Sequence, residues 1–110
     1  MLLRASFSAM LIALGIAVAP TIALAQAPNG RYECWFFRSA RPGLNFNLLG
    51  GGRYTDVNGQ AGTVAMSGAQ MTFSGAALTG QRGVYKGGNP PTVAILGPRG
   101  DEVSSCQLRR

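Results

Sequence analysis

The stretch Gly30-Arg31-Tyr32-Glu33-Cys34-Trp35-Phe36-Phe37 decides the fold of this 110-residue chain. Five of its eight residues are aromatic or cysteine, side chains that favour a pleated surface, and none is Pro, Asn or Asp. The stretch is therefore predicted to be a β-strand. It holds one of only two cysteines, and the other is Cys106 in the last predicted strand. We predict a disulfide between Cys34 and Cys106 that joins the first strand to the last.

The two faces of this strand differ in what they offer to a partner. Because strand side chains alternate, Arg31, Trp35 and Phe37 share one face, opposite to that of Cys34. Trp and Arg are frequent anchors of binding surfaces. We therefore take Trp35, Phe37 and Arg31 as the candidate binding surface. The alternative is that Trp35 and Phe37 fill the interior, because a strand that is apolar on both faces is typically covered on both sides.

Residues 1–25 have the features of a secretory signal peptide. They combine Arg4, an apolar run over 5–19, Pro20, and small residues at Ala23 and Ala25. Cleavage is expected between Ala25 and Gln26, which predicts an exported, periplasmic or secreted protein without a membrane span. An uncleaved membrane anchor is the alternative, since the apolar run is nearly long enough to cross a bilayer. The preference for Arg, Ala and Gly is typical of a GC-rich bacterial genome.

The mature chain expected after cleavage, residues 26–110, is small. Residues 26–29 are expected to be a short exposed leader, and residues 30–110 a single β domain. A core of this size is marginal, and a covalent staple is the usual remedy. Export would supply the oxidising compartment in which Cys34 and Cys106 can pair. An intermolecular bridge is the alternative to that intramolecular disulfide.

The segments beyond the first strand are short, apolar at alternate positions and separated by turn signals. Asn58-Gly59 is the strongest of these signals and is expected to form a type I′ hairpin turn. No helical periodicity follows the signal segment. The pattern predicts an all-β antiparallel meander of about eight strands, closed as a barrel or a sandwich. The predicted strands beyond the first are 44–48, 53–57, 61–66, 70–73, 82–86, 92–96 and 102–108.

The net charge of the chain has two interpretations, attraction to an anionic partner and solubility. Beyond residue 25, nine basic residues face four acidic ones, a balance of +5. Such a balance can attract an acidic protein or an anionic envelope component. It can also serve solubility alone, because the basic residues are scattered singly. The chain carries no specific nucleic-acid motif.

Reactive groups are scarce. The sequence has no His, and both cysteines are assigned to the disulfide. Its run Gly50-Gly51-Gly52 lacks the Lys and helix of a phosphate loop, and Arg99-Gly100-Asp101 is interpreted as a hairpin tip. Each of the four carboxylates can be explained by a turn or a solvated face. We therefore expect no catalytic residue, no metal, no cofactor and no enzymatic activity.

Several short motifs resemble the periplasmic inhibitors of c-type lysozyme. These are Tyr32-x-Cys34, Gly62-x-Val64, Phe73-Ser74-Gly75 and the late cysteine. The resemblance implies an eight-stranded barrel and, by analogy, an inhibitory function. No Trp follows Phe73 and no Lys precedes Gly75, so the inhibitory loop of that family cannot be carried over.

The function expected from the sequence is therefore that of a small, exported, non-enzymatic binding or interaction protein. Its partner would be a periplasmic or extracellular protein, or an anionic envelope component. The alternative is an inhibitor of a periplasmic or secreted hydrolase that uses a turn such as 97–101. A ligand inside the barrel, as in lipocalins, is a third candidate, although strands of about five residues close over side chains with little free space.

Overall fold

A computed structural model describes residues 27–109, so the predicted signal peptide and its cleavage site lie outside the described residues. Within this part of the chain no helix is long and apolar enough to cross a membrane. A 3₁₀ helix at Pro42–Leu44 lies between the second and third of nine strands. The strands are β1 (Gly30–Phe36), β2 (Ser39–Ala40), β3 (Phe46–Gly50), β4 (Arg53–Asp56), β5 (Ala61–Ser67), β6 (Gln70–Ser74), β7 (Arg82–Gly87), β8 (Thr92–Leu96) and β9 (Glu102–Arg109).

The strands form one closed antiparallel barrel. From β3 to β9, each strand pairs with the next along the chain, and β1 pairs with both β3 and β9. The barrel therefore has eight strands, β1 and β3–β9, and its two sheet edges are joined. The two-residue β2 lies outside this count and pairs with the end of β1. The predicted all-β meander is confirmed, and it closes as a barrel.

Alternation of strand direction places the connections at two ends of the barrel. One end carries the β1–β2 turn, the β4–β5 turn at 57–60, the β6–β7 loop at 75–81 and the β8–β9 turn at 97–101. We call this the hairpin end. The opposite end carries the turns at 51–52, 68–69 and 88–91.

The predicted disulfide joins the strands that close the barrel. Cys34 of β1 and Cys106 of β9 are directly opposed, with their Cα atoms 3.9 Å apart. Beside them, the Ser104 hydroxyl donates to the backbone oxygen of Trp35 at 2.9 Å. The bond spans a sequence separation of 72 residues. A loop of this length corresponds to a stabilisation on the order of 4 kcal/mol in the chain-entropy model.

Aromatic side chains fill the barrel. Tyr32 stacks on Phe46 with ring centroids 5.0 Å apart. Phe73 meets the rings of Phe46 and Tyr54 edge to face, at 5.3 and 5.1 Å. These packed rings occupy the space that a lipocalin-type ligand would need. The other buried apolar residues of the core are Cys34, Leu48, Val64, Met71, Leu78, Val93, Ile95, Cys106 and Leu108.

One inward tyrosine also fastens the hairpin end. The Tyr54 hydroxyl donates to the backbone oxygen of Gly75 and accepts the Leu78 N–H at 3.0 Å. Burial raises the pKa of Tyr54 above its ordinary value. On the neighbouring β5, the backbone of Gly62 lies directly against the Tyr54 ring. The loop at 75–81 is thereby tied to the barrel wall.

The turn after β4 differs from its prediction. Gly59 has a φ of +82°, but Asn58 does not share the positive φ of a type I′ turn. The Asp56 carboxylate accepts the Asn58 N–H at 2.9 Å. This side-chain hydrogen bond favours a turn in which Asn58 does not adopt a positive φ. The connection at 57–60 therefore does not form a type I′ turn, and within it only Gly59 adopts the left-handed conformation.

The start of β3 and the packing of the leader also differ from the predictions. The strand expected to begin at Leu44 begins at Phe46, because Pro42 starts a 3₁₀ helix that ends with Leu44 half-buried against the core. The leader expected to be exposed is in part packed. Ala27 contacts the core, and the backbone oxygen of Pro28 accepts a hydrogen bond from the Tyr32 hydroxyl at 2.7 Å.

The contact between Gly62 and Tyr54 predicts an intolerant position. A Cβ at Gly62 would lie 2.5 Å from Tyr54 Cε1 and 2.8 Å from the backbone oxygens of Ser74 and Gly75. Backbone oxygens in a strand pairing cannot move away cheaply. Gly62→Ala should therefore lower the free energy of unfolding by about 1–3 kcal/mol in urea titrations.

Gly43→Ala is the matched control, because a Cβ there meets no atom within 4 Å. It should change stability by less than about 0.5 kcal/mol. Equal stability of the two variants would contradict the packing described for Gly62.

Candidate functional site

The first strand continues past the barrel wall into a short hairpin. Trp35 pairs with Ala40 and Phe36 with Ser39, which leaves two residues, Phe37 and Arg38, for the turn. The turn is supported on its far side by the Arg41 N–H, which donates to the Cys34 backbone oxygen at 2.8 Å. The hairpin is thus rooted at the disulfide and projects from the hairpin end. We call the set Trp35, Phe36, Phe37, Arg38 and Arg41 the aromatic hairpin.

Phe37 has an unusual conformation at the tip of this hairpin. Its φ is +55°, a value that bulky L-residues rarely adopt and that glycine adopts freely. It is also the most exposed of the large apolar residues in the described chain, at 89%. The fold therefore holds an aromatic ring in solvent on a strained backbone.

The remaining members of the aromatic hairpin support that ring. Phe36 is half-buried, and its ring centroid lies 4.4 Å from that of Phe37. The guanidinium of Arg41 lies 5.5 Å from the Phe36 centroid, within cation–π distance. The stack of two rings and one guanidinium restricts the motion of the tip. Trp35, on the outer face of β1, is 40% exposed.

A cleft of about 390 Å³ adjoins the aromatic hairpin on the outer face of the β1–β9 pairing. We call it the seam cleft. Trp35 and Phe37 form its apolar side, and β9 supplies its polar side. Its lining residues are Trp35, Phe37, Ser105, Gln107 and Arg109.

The structure brings together two of the three residues of the predicted binding surface. Trp35 and Phe37 line the seam cleft and are exposed, so they do not fill the barrel. Arg31 lies near the beginning of β1, away from the aromatic hairpin, and forms an ion pair with Glu33. Glu33 also pairs with Arg109, whose Nε lies 3.2 Å from Glu33 Oε1. Arg109 therefore takes the place in the cleft that the sequence suggested for Arg31.

Two arginines of the site were not predicted. Arg38 follows the aromatic run directly and Arg41 comes three residues later, and this position was a usable signal. The sequence carries no Asp or Glu between Glu33 and Asp56. Within residues 27–109, the ion pairs found leave Arg38 and Arg41 without a carboxylate partner. The aromatic hairpin is therefore apolar and cationic.

Carboxylates in the described chain are engaged in structural contacts or stand alone at turns. Glu33 lies between two arginines, and Glu102 accepts a hydrogen bond from Lys86 at 2.9 Å. Asp101 is exposed in the turn at 97–101, whose ends are joined by the Gly97 N–H and the Asp101 backbone oxygen at 2.7 Å. Among residues 27–109 no group of three His, Cys, Asp or Glu side chains is placed to hold a metal ion.

Among residues 27–109, Asp56 is the one buried carboxylate, at 2% exposure. Its Oδ1 accepts the N–H groups of Asn58 and Gln60, both at 2.9 Å, and its Oδ2 accepts that of Ala77 at 3.0 Å. Burial acts to raise its pKa, but these backbone donors outweigh burial and hold the pKa below its ordinary value. The side chain joins the turn at 57–60 to the loop at 75–81, which is a structural role.

No protein-family model, curated protein or solved structure was found to match this chain.

The position of Asp56 predicts a pH-dependent stability. A carboxyl whose folded pKa lies below its unfolded value, about 4, stabilises the fold above that value and loses this effect as pH falls through the folded pKa. In the Asp56→Asn variant, the amide NH₂ group would face backbone N–H donors, which it cannot accept from. The asparagine side chain also cannot ionise. The melting temperature of the variant should lie below that of the wild type at pH 7.

The gap between these two melting temperatures should narrow below about pH 4, where the wild-type carboxyl takes up its proton. Asp101→Asn is the control, since that side chain is exposed in a turn, and its melting curve should follow the wild type. A gap that stays constant down to acid pH would show that ionised Asp56 does not fasten the two loops.

Proposed function

We propose that this protein is an exported, non-enzymatic binding protein whose contact surface consists of the aromatic hairpin and the seam cleft. The observation that carries this proposal is the state of Phe37, which is strained in its backbone and 89% exposed in its side chain. Residues in disfavoured backbone conformations concentrate at functional sites, where surrounding structure holds them.

The backbone conformation of Phe37 has a free-energy cost that contacts within the chain offset only in small part. A left-handed conformation costs an L-residue roughly 1–2 kcal/mol. The ring recovers little of this cost in the free protein, because most of its surface remains in water. Glycine at the same position would remove the strain. A phenylalanine there is explained by a contact that the ring makes with something other than its own fold.

The chemistry of the surface indicates what that partner is like. It presents two exposed aromatic rings together with Arg38 and Arg41, for which the described residues provide no carboxylate partner. A complementary partner offers an apolar region next to negative charge. A periplasmic or extracellular protein, or an anionic envelope component, would meet this description.

A non-enzymatic role is supported by the side chains of the site. The aromatic hairpin and the seam cleft contain aromatic rings, a serine, a glutamine and arginines. Neither contains a carboxylate, thiol or imidazole that could act as a general base at neutral pH. Glu33, the carboxylate nearest along β1, is held between Arg31 and Arg109.

Inhibition of a secreted hydrolase is a second candidate, because the turn at 97–101 is closed by backbone hydrogen bonds and presents an exposed arginine. The Gly100 N–H donates to the Gly97 backbone oxygen at 2.9 Å, and Arg99 is exposed at the tip. Such a turn can enter the cleft of an enzyme as a plug. A turbidity assay with c-type lysozyme tests this candidate. Inhibition that Arg99→Ala abolishes would support it, and full lysozyme activity at excess protein would refute it for this target.

The principal proposal predicts which substitutions abolish capture of a partner. Immobilised protein, incubated with detergent-free envelope extract, should retain a defined component that Phe37→Gly loses. Because glycine accepts the backbone conformation of this position, the variant should be at least as stable as the wild type in thermal melts. Loss of capture would then report the missing ring.

Leu49→Ser is the control for this experiment, since Leu49 is another exposed apolar residue, at 42%, and lies toward the opposite end of the barrel. It should retain the same component as the wild type. Identical capture by wild type and Phe37→Gly would overturn the proposed contact surface, as would the absence of any specific component.

A further inference from the structure

We infer that the partner of the aromatic hairpin is the surface of a phospholipid bilayer that contains anionic lipids, with Phe37 and Trp35 entering its interfacial region. This inference rests on the proposed function, since it uses the same contact surface. It is argued from the shape of the tip, the identity of its side chains and the distribution of charge at the hairpin end.

The tip is convex and small. A two-residue turn presents Phe37 at its end, and Trp35 lies one step back on the outer face of β1. Exposed surface on these two side chains is on the order of 300 Å². A stable protein interface buries about 800 Å² on each partner. A lipid interface needs no matching pocket and accepts a single projecting ring.

The side chains are those that the bilayer interface selects. Tryptophan is enriched at the level of the lipid headgroups, and Phe and Trp form the inserted face of peripheral membrane segments whose polar side carries Lys or Arg. Arg38 follows Phe37 directly, and Arg41 stacks on Phe36. Their guanidinium groups would thus lie beside the inserted rings at headgroup depth.

The hairpin end is also positively charged. Three carboxylates also lie at this end: Asp101 is exposed, Asp56 is buried among backbone donors, and Glu102 pairs with Lys86. Each arginine near an anionic membrane surface should raise partitioning about fivefold. The arginines placed at this end by the strand order are Arg38, Arg41, Arg82 and Arg99.

Trp35 provides a direct reporter, because it is the single tryptophan of the sequence. Its fluorescence should shift to shorter wavelength when the protein is mixed with vesicles of phosphatidylcholine and phosphatidylglycerol in equal parts. Vesicles of pure phosphatidylcholine should cause no shift, and high salt should reverse the shift, because exposed charges are screened. Co-sedimentation with the same vesicles gives the affinity independently.

Two variants and two controls make the test specific. Phe37→Gly should weaken sedimentation with the anionic vesicles roughly tenfold or more, as expected for loss of one inserted aromatic ring. Arg38→Gln should weaken it about fivefold. Leu49→Ser and Arg53→Gln change an exposed apolar residue and an exposed arginine toward the opposite end, and both should bind as the wild type does.

Failure of this inference can be told apart from failure of the proposed function. If envelope capture depends on Phe37 but the anionic vesicles neither bind nor shift Trp35, the contact surface stands, the partner is not a phospholipid bilayer and the bilayer inference is wrong. If the vesicles bind the wild type and Phe37→Gly equally, adsorption is by charge alone and the inference is also wrong. If capture and vesicle binding are both indifferent to Phe37, both proposals fall.

Discussion

The pairing of β1 with β9, cross-linked by Cys34 and Cys106, is the constraint on which both the barrel and its candidate site depend. The bond joins the two strands that would otherwise be sheet edges. Because Cys34 directly precedes Trp35, the same bond fixes the root of the segment that leaves the barrel. The aromatic hairpin is thus built on the most firmly held part of β1, and its geometry is set by the closure of the barrel.

The connections at the hairpin end divide into two kinds. The turn at 57–60 and the loop at 75–81 are fastened inward by the Asp56 carboxylate and the Tyr54 hydroxyl, which satisfy backbone groups that would otherwise be left without partners. The aromatic hairpin is held by the pairing of β1 with β2, by the hydrogen bond at its base and by the Arg41 guanidinium over the Phe36 ring. The polar groups that fasten the connections at 57–60 and 75–81 stabilise the fold, whereas the apolar and cationic groups of the aromatic hairpin face solvent.

Much of the fold follows from the sequence, and much of the site does not. The barrel and its disulfide were predictable because inward positions recur with period two and the two cysteines lie in the first and last strands. Alternation also placed Trp35 on the face opposite Cys34, but it left open whether that face lies outside the barrel. It could not show that Phe37 leaves the strand with a positive φ, since phenylalanine has no preference for such a turn, nor that Arg109 replaces Arg31 beside Trp35. Similarly, the side chain of Asp56 overrides the local preference of Asn58-Gly59.

The strain at Phe37 has a further consequence for recognition. Association loses free energy when mobile side chains and loops must be ordered at the interface, and a surface that is already ordered avoids that cost. A two-residue turn, a disulfide one residue before Trp35 and a guanidinium stacked on the neighbouring ring leave the tip little freedom to lose. On binding of the proposed partner, the cost of the Phe37 conformation would therefore be offset, because the ring is already displayed in the free protein.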